Sequence, residues 1–129
     1  MNYERMTLKL QEALQESTSI AQKKDHSEVG TEHLLFAFLT QQDGIVPPLV
    51  SNVGVDANFL ANETEKLLEK YPVVHGNASL SISNELQKIL AKSENAQNEL
   101  KDEYLSCEHV FIAMAESDGN VGKKKKKMG

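Results

Sequence analysis

A chain of 129 residues, 40% hydrophobic and 26% charged, fits one domain with a buried core. Its net charge of −5 hides a split: once the five lysines at 123–127 are set aside as a solvated end, nine basic residues face 19 acidic ones. An acidic body argues against broad nucleic-acid binding, the longest apolar run, Leu34 to Leu39, is too short to span a bilayer, and the single Cys107 excludes an internal disulfide and suits the cytosol.

From the N-terminus the residues read as helices. Leu10, Ala13, Leu14, Ser17, Ile20 and Ala21 recur at i, i+3, i+4 spacing, which predicts one helix to about Lys24 with Thr7 as its N-cap. The start is amphipathic and lacks the apolar region of a signal peptide. Thr31 is expected to cap a shorter second helix reaching about Thr40, ended by Asp43-Gly44. Pro47 and Pro48 suit the first turn of a third helix through about Asn52, closed by Gly54. Asp56 caps a fourth, with a stripe that includes Phe59, Leu60, Leu67 and Leu68, and Pro72 stops it. A connector over residues 71–82 follows. Ser83 then caps a fifth helix carrying Leu86, Ile89, Leu90, Ala96 and Leu100, and Ser106 or Cys107 begins a sixth through about Glu116. No alternating strand pattern of useful length occurs, so the fold class is all-α.

The order of these elements repeats. Thr31-Glu32-His33 and its apolar run return 76 positions later as Cys107-Glu108-His109 and another apolar run. At the same offset Leu10, Gln11, Leu14 and Ser17 match Leu86, Gln87, Leu90 and Ser93, and Thr7 matches Ser83. Equal spacing over this length marks a duplicated unit: one repeat over about 4–70 and a partial second over 83–122. The second copy stops before a fourth helix, with Lys124 and Lys125 standing where the first copy has Leu49 and Val50. Exposed apolar surface near the C-terminus is the expected consequence.

Catalytic chemistry finds little support. Glu32-His33 and Glu108-His109 are adjacent pairs, and neighbours on a helix diverge by about 100°, so they do not converge on one metal. No metal ligand set is assigned, and His33 and His109 read as packing or polar-network residues. Gly119 to Lys123 lacks both the spacing of a phosphate loop and a preceding strand. Cys107 reads as a half-buried helix-start residue. The repeated helix starts offer more, because unpaired N–H groups and a partial positive charge attract anions. If the first two helix starts meet, Thr7 and Glu32 form one pair of complementary groups, and Ser83 and Glu108 the equivalent pair. Read as structure alone, the hydroxyls are caps worth about 1 kcal/mol each.

In order along the chain, Met6-Thr7, Gln11-Glu12-Ala13-Leu14, Gly30-Thr31-Glu32-His33-Leu34-Leu35 and Pro48-Leu49 resemble the N-terminal domain of Clp-type AAA+ unfoldases. The segment Lys70-Tyr71-Pro72-Val73-Val74-His75-Gly76 and Ser106-Cys107-Glu108-His109 carry the same resemblance. The connector and the Pro-Leu segment are more similar to the ClpB branch, the disaggregases, than to ClpC or ClpA. The resemblance covers essentially the whole chain and implies two pseudo-symmetric four-helix repeats, the second truncated here before its last helix. It also implies attachment to two ATPase modules in a homohexamer. ATP and Mg belong to those modules, so this fragment carries no cofactor and no catalysis. The implied role is recruitment of unfolded or aggregated polypeptide in the cytoplasm, in concert with the DnaK chaperone system, with no nucleic-acid or membrane partner. A ClpC- or ClpA-like domain would instead dock adaptors or marked substrates for a protease.

Carried over by position, Thr7, Asp102 and Glu108 stand where ClpB-like domains have polar residues around their substrate surface. Glu32 and Glu108, beside Thr7 and Ser83, stand where ClpC-like domains hold arginine-phosphate groups. Two departures follow. Lys92, Ala96 and His109 occupy places where ClpB-like domains tend to show leucines, which implies a shallower, more polar surface. Cys107 replaces the threonine of the first motif, which weakens the equivalence of two anion sites.

Overall fold

The computed structural model describes residues 3–75 and 79–117. After a short 3-10 turn at Tyr3–Arg5 come helices α1 (Leu8–Lys23), α2 (Thr31–Thr40), α3 (Val46–Asn52), α4 (Ala57–Leu68), α5 (Asn84–Glu99) and α6 (Cys107–Glu116). Two short strands, β1 (Glu28–Val29) and β2 (Ser81–Ile82), pair in parallel. The all-α expectation holds, and the strands are too short to leave a period-2 signal.

Side-chain caps start four of the six helices. The Thr7 hydroxyl accepts from the Leu10 amide at 3.2 Å, and Ser83 repeats this with Leu86 at 3.1 Å. Asp56 accepts from Asn58 and Phe59 at the head of α4, and Ser106 caps α6. The expected Thr31 cap is corrected: Gly30 is the N-cap of α2, and Thr31 is its first helical residue. Thr31 and its repeat partner Cys107 are both buried at the head of their helices, where a side chain faces the core and cannot fold back over the helix end.

Helix α2 is the centre of the molecule. Leu34, Leu35, Ala37 and Phe38 are fully or nearly fully buried, and the helix contacts α1, α3, α4 and α6. A helix covered on so many sides is apolar around most of its circumference. Its partner α1 runs antiparallel, since Lys9 Nζ donates to the Gln42 carbonyl at 2.9 Å and Gln41 Nε2 donates to the Lys9 carbonyl at 2.8 Å. The α5–α6 hairpin repeats this pairing, closed by Lys92 Nζ to Glu116 at 3.3 Å. The turn after each long helix is also repeated. Asp25 and Lys101, 76 positions apart, both adopt positive φ (58° and 59°).

Two stripes shift from expectation. Helix α4 buries Leu60, Thr64 and Leu68 and leaves Phe59 exposed. Helix α5 buries Leu86, Ile89, Leu90, Ser93 and Gln97, while Leu100 is its exposed C-cap. Helical spacing that admits polar members (i+4 in α4, i+3 and i+4 in α5) won over the count of apolar residues. Ile112 on α6 is 49% exposed, where its counterpart Phe36 is half-buried against the core. The rest of the expected C-terminal apolar surface, the lysine run and the Gly119 to Lys123 segment fall outside the described residues.

The Thr31 hydroxyl is buried and has no hydrogen-bond partner among the described residues. A buried unsatisfied hydroxyl costs about 1–3 kcal/mol. Thr31→Val, which keeps the shape, should therefore raise stability by about 1 kcal/mol in urea unfolding. Thr31→Ser, which keeps the hydroxyl and deletes a methyl, should lower it by about 1 kcal/mol.

Candidate functional site

The two repeats pair reciprocally at the helix starts. The Thr7 amide donates to the Leu105 carbonyl at 2.9 Å, and Met6 and Leu105 form a parallel bridge. The Ser83 amide donates to the Val29 carbonyl at 3.0 Å, just past the β1–β2 pair. The head of α1 thus lies beside the segment entering α6, and the head of α5 beside the segment entering α2. This corrects the expected pairing. Thr7 and Glu32 sit at opposite ends of the antiparallel α1–α2 hairpin, as Ser83 and Glu108 do in α5–α6. Thr7 is grouped with Asp102 and Glu108, and Ser83 with Glu32.

Each of the two groups is built on a histidine. In α2 the Gly30 amide donates to His33 Nδ1 at 2.9 Å, and His33 Nε2 lies 2.8 Å from His26 Nδ1. In α6 the Ser106 amide donates to His109 Nδ1 at 3.0 Å, and His109 Nε2 lies 2.8 Å from Asp102 Oδ2. Because Nδ1 accepts a backbone N–H, the ring proton must sit on Nε2, so each histidine donates to its partner. His26 and Asp102 are themselves 76 positions apart. Burial, the nearby His26 and then Lys24 hold His33 down to about 4, so it is neutral near pH 7. The polar-network reading of both histidines holds.

Ser106, His109 and Asp102 form a row resembling an acyl-transfer relay, with the serine hydroxyl 2.9 Å from Nδ1. The first repeat shows what the row is for. Gly30 stands in the place of Ser106 without a hydroxyl, and the backbone-to-histidine bond is the same. The shared element is a helix cap, and the Ser106 hydroxyl accepts from the His109 amide at 3.4 Å as part of it. No group of three or more His, Cys, Asp or Glu side chains able to hold a metal occurs among the described residues. Burial pushes the Cys107 thiol up to about 11, which makes it a poor nucleophile.

The two groups differ in access. Glu32 is buried, and Tyr71 from the connector donates its hydroxyl to Glu32 Oε1 at 2.6 Å. A groove of about 400 Å³ beside it is lined by Glu28, Lys70, Tyr71, Ser83 and Glu85 as well as Glu32. Glu108 is exposed and has no ion pair among the described residues. Ile112 lies one turn further along α6, and the exposed Leu8 (69%) and Tyr104 (47%) flank the Thr7–Leu105 bond that joins the head of α1 to the segment entering α6. Arg5 secures this corner through two bonds to the Glu103 carbonyl, at 3.3 and 3.1 Å. Lys92 is tied to Glu116 and Ala96 is half-buried, so neither adds an apolar floor. Sequence reasoning missed Tyr71, His26, Leu8 and Tyr104. His26 was detectable from its offset to Asp102; the exposed apolar residues carry no periodic signal.

Residues 5–128 match the Clp repeat (R) N-terminal domain family. The chain is 36% identical over 125 residues to the chaperone protein ClpB of Bacillus anthracis, covering 94% of this chain and 14% of that protein. The chain therefore spans about one-seventh of the length of this curated relative. In fold it is similar to the Hsp104 N-terminal domain from Candida albicans, with TM-score 0.85 and 21% identity over 96% of this chain and 81% of that one. It is also similar to a ClpV N-domain solved in complex with a VipB peptide, with TM-score 0.79 and 17% identity over 98% of this chain and 80% of that one.

The closed first group rests on Gly30, because a Cβ there would overlap the Tyr71 hydroxyl and ring edge. Gly30→Ala should cost about 1–3 kcal/mol in denaturant unfolding by forcing Tyr71 out. In a double-mutant cycle with Tyr71→Ala, the two losses should be less than additive by more than about 0.5 kcal/mol.

Proposed function

We propose that this chain, which belongs to the Clp repeat N-terminal domain family, captures exposed polypeptide for a ClpB-like, ATP-driven disaggregase. The observation that carries this reading is the open corner at the head of α6. There the exposed Asp102, Tyr104, Glu108 and Ile112 lie along the segment entering α6 and its first turns, and the Thr7–Leu105 bond joins Thr7 and the exposed Leu8 to that segment. An unfolded segment offers apolar side chains, cationic side chains and free backbone groups together. The corner meets each: the apolar residues by burial, the two carboxylates by charge, and Thr7 by its hydroxyl. No helix among the described residues is long and apolar enough to cross a membrane, and a cytoplasmic site of action is part of the proposal.

In this reading ATP and Mg act in the ATPase modules of the full protein, which assembles as a homohexamer and works with the DnaK system. A shallow corner binds each segment weakly, and several copies in one ring raise the effective affinity without any new contact. The similarity to ClpB over 94% of this chain supports the assignment to that branch. A second reading, docking of one adaptor or marked substrate as in ClpC- and ClpA-like proteins, draws on the ClpV N-domain that holds a defined VipB peptide. The two readings diverge in selectivity: capture should tolerate unrelated unfolded sequences, whereas docking should reject all but one.

Binding of a reduced, alkylated, permanently unfolded protein tests the site directly. Glu108→Gln combined with Tyr104→Ser should weaken it about tenfold, or about 1.4 kcal/mol, with the thermal unfolding curve unchanged because both side chains are exposed. Wild-type affinity in that folded variant would remove this corner as the capture surface.

A further inference from the structure

The first histidine group contains a ring that its counterpart lacks. His26 is held between His33, whose Nε2 proton it accepts at 2.8 Å, and Tyr71, which stacks on it with centroids 5.2 Å apart and 23° between planes. Tyr71 also meets His33 edge-on at 4.6 Å. The connector backbone is fastened at the same place. His26 and Val73 form an antiparallel bridge, and the Val74 amide donates to the Asp25 carbonyl at 2.7 Å. Lys24 and Asp25 face His26 from its own loop and Lys24 also faces His33, while Glu32, Glu28 and Glu85 face Tyr71 from α2, β1 and α5, with Lys70 beside it in the groove. Helix α4 presents the uncharged Leu60, Thr64 and Leu68 to its neighbours.

No proton can be added here without breaking a bond. A proton on His33 Nδ1 would oppose the Gly30 N–H, and one on His26 Nδ1 would oppose the His33 N–H. Two N–H groups pointing at each other in a buried site repel and leave both unsatisfied. We propose that His26, His33 and Tyr71 form an acid-operated latch: in the neutral form it clamps the connector over Glu32, and proton uptake releases Tyr71 and uncovers the Glu32 carboxylate. Both histidines are held below their ordinary value of 6.5, mainly by burial, His33 to about 4. A released ring returns toward the ordinary value and binds the proton more tightly. The closed form is therefore fully favoured above about pH 6.5 and loses ground as the pH falls from there through about 4. In the second repeat Asp102 accepts the histidine proton instead, so the device belongs to the first repeat alone. It stands whether or not the chain captures polypeptide.

Hydrogen exchange of the 129-residue chain, corrected for intrinsic rates between about pH 7.5 and about pH 4.5, tests the latch. Protection of the Val74 and Gly30 amides should fall at least about tenfold across this range while Leu90 in α5 keeps its protection. In His26→Asn, whose amide oxygen accepts from His33 without titrating, the fall should move to lower pH by about one unit. In the wild-type chain, ring-proton signals of His26 or His33 should titrate with the midpoint of the Val74 change, which decides the matter should the variant not fold. Unchanged Val74 protection, loss in step with Leu90, an unshifted fall in folded His26→Asn, or ring midpoints apart from that of Val74 would each overturn the proposal.

Discussion

The structure depends on one bond made twice: a backbone N–H at the head of a central helix donated to Nδ1 of the histidine three residues on. Gly30 to His33 and Ser106 to His109 satisfy an amide that the helix itself leaves unpaired. The more usual cap places a glutamate or glutamine at that third position. Histidine does what they do and adds a second nitrogen, whose proton is then fixed and aimed outward. Each central helix is thereby tied to the turn that precedes it, through His26 in one case and Asp102 in the other. A helix end, a turn and a polar contact between them are set by a single ring.

That bond also fixes where the repeats meet. The segments entering α2 and α6 are held extended, and their carbonyls remain free to pair outward. Val29 accepts from the Ser83 amide and Leu105 from the Thr7 amide, so each long helix begins against the other repeat's central helix. Each hairpin makes its own caps, but the backbone N–H at the head of each long helix is satisfied only by the other repeat. Such reciprocal pairing makes the described residues one body with a shared core of Leu10, Leu34, Phe38, Leu86, Leu105 and Met114.

Much of this was legible in the residues. Helix caps at Thr7, Asp56 and Ser83 and prolines at the first turn of α3 are local signals, and together with the 76-residue offset they place the helices closely. The pairing of Thr7 with Glu32 was not, because the sequence shows that two segments are equivalent without showing which of them exchange. An antiparallel hairpin of long α1 and shorter α2 separates its two heads, and only the parallel contacts at Leu105 and Val29 reveal the partner. Thr31 failed as a cap for a similar reason: its type favours the cap position, but the core behind it claimed the side chain. Glu32 and Glu108 look alike in sequence, yet Tyr71, 39 positions away in the chain, buries the first.

The difference between those two carboxylates is where duplication turns into function. The same cap, the same turn and the same acidic residue arise in both copies, so the backbone supplies two equal frames. What differs is the position facing the histidine and what crosses above it. In the first copy a second imidazole and a tyrosine close the frame, and Glu32 spends its charge inside, on a hydroxyl. In the second, an exposed carboxylate faces the histidine, and Glu108 keeps its charge in water beside Tyr104 and Ile112. An exposed carboxylate among apolar side chains meets an incoming chain at once, whereas a buried one must first lose its cover. On the proposed reading one frame serves as it stands and the other only after its latch opens, and the symmetric scaffold lets the two differ without disturbing the core that joins them.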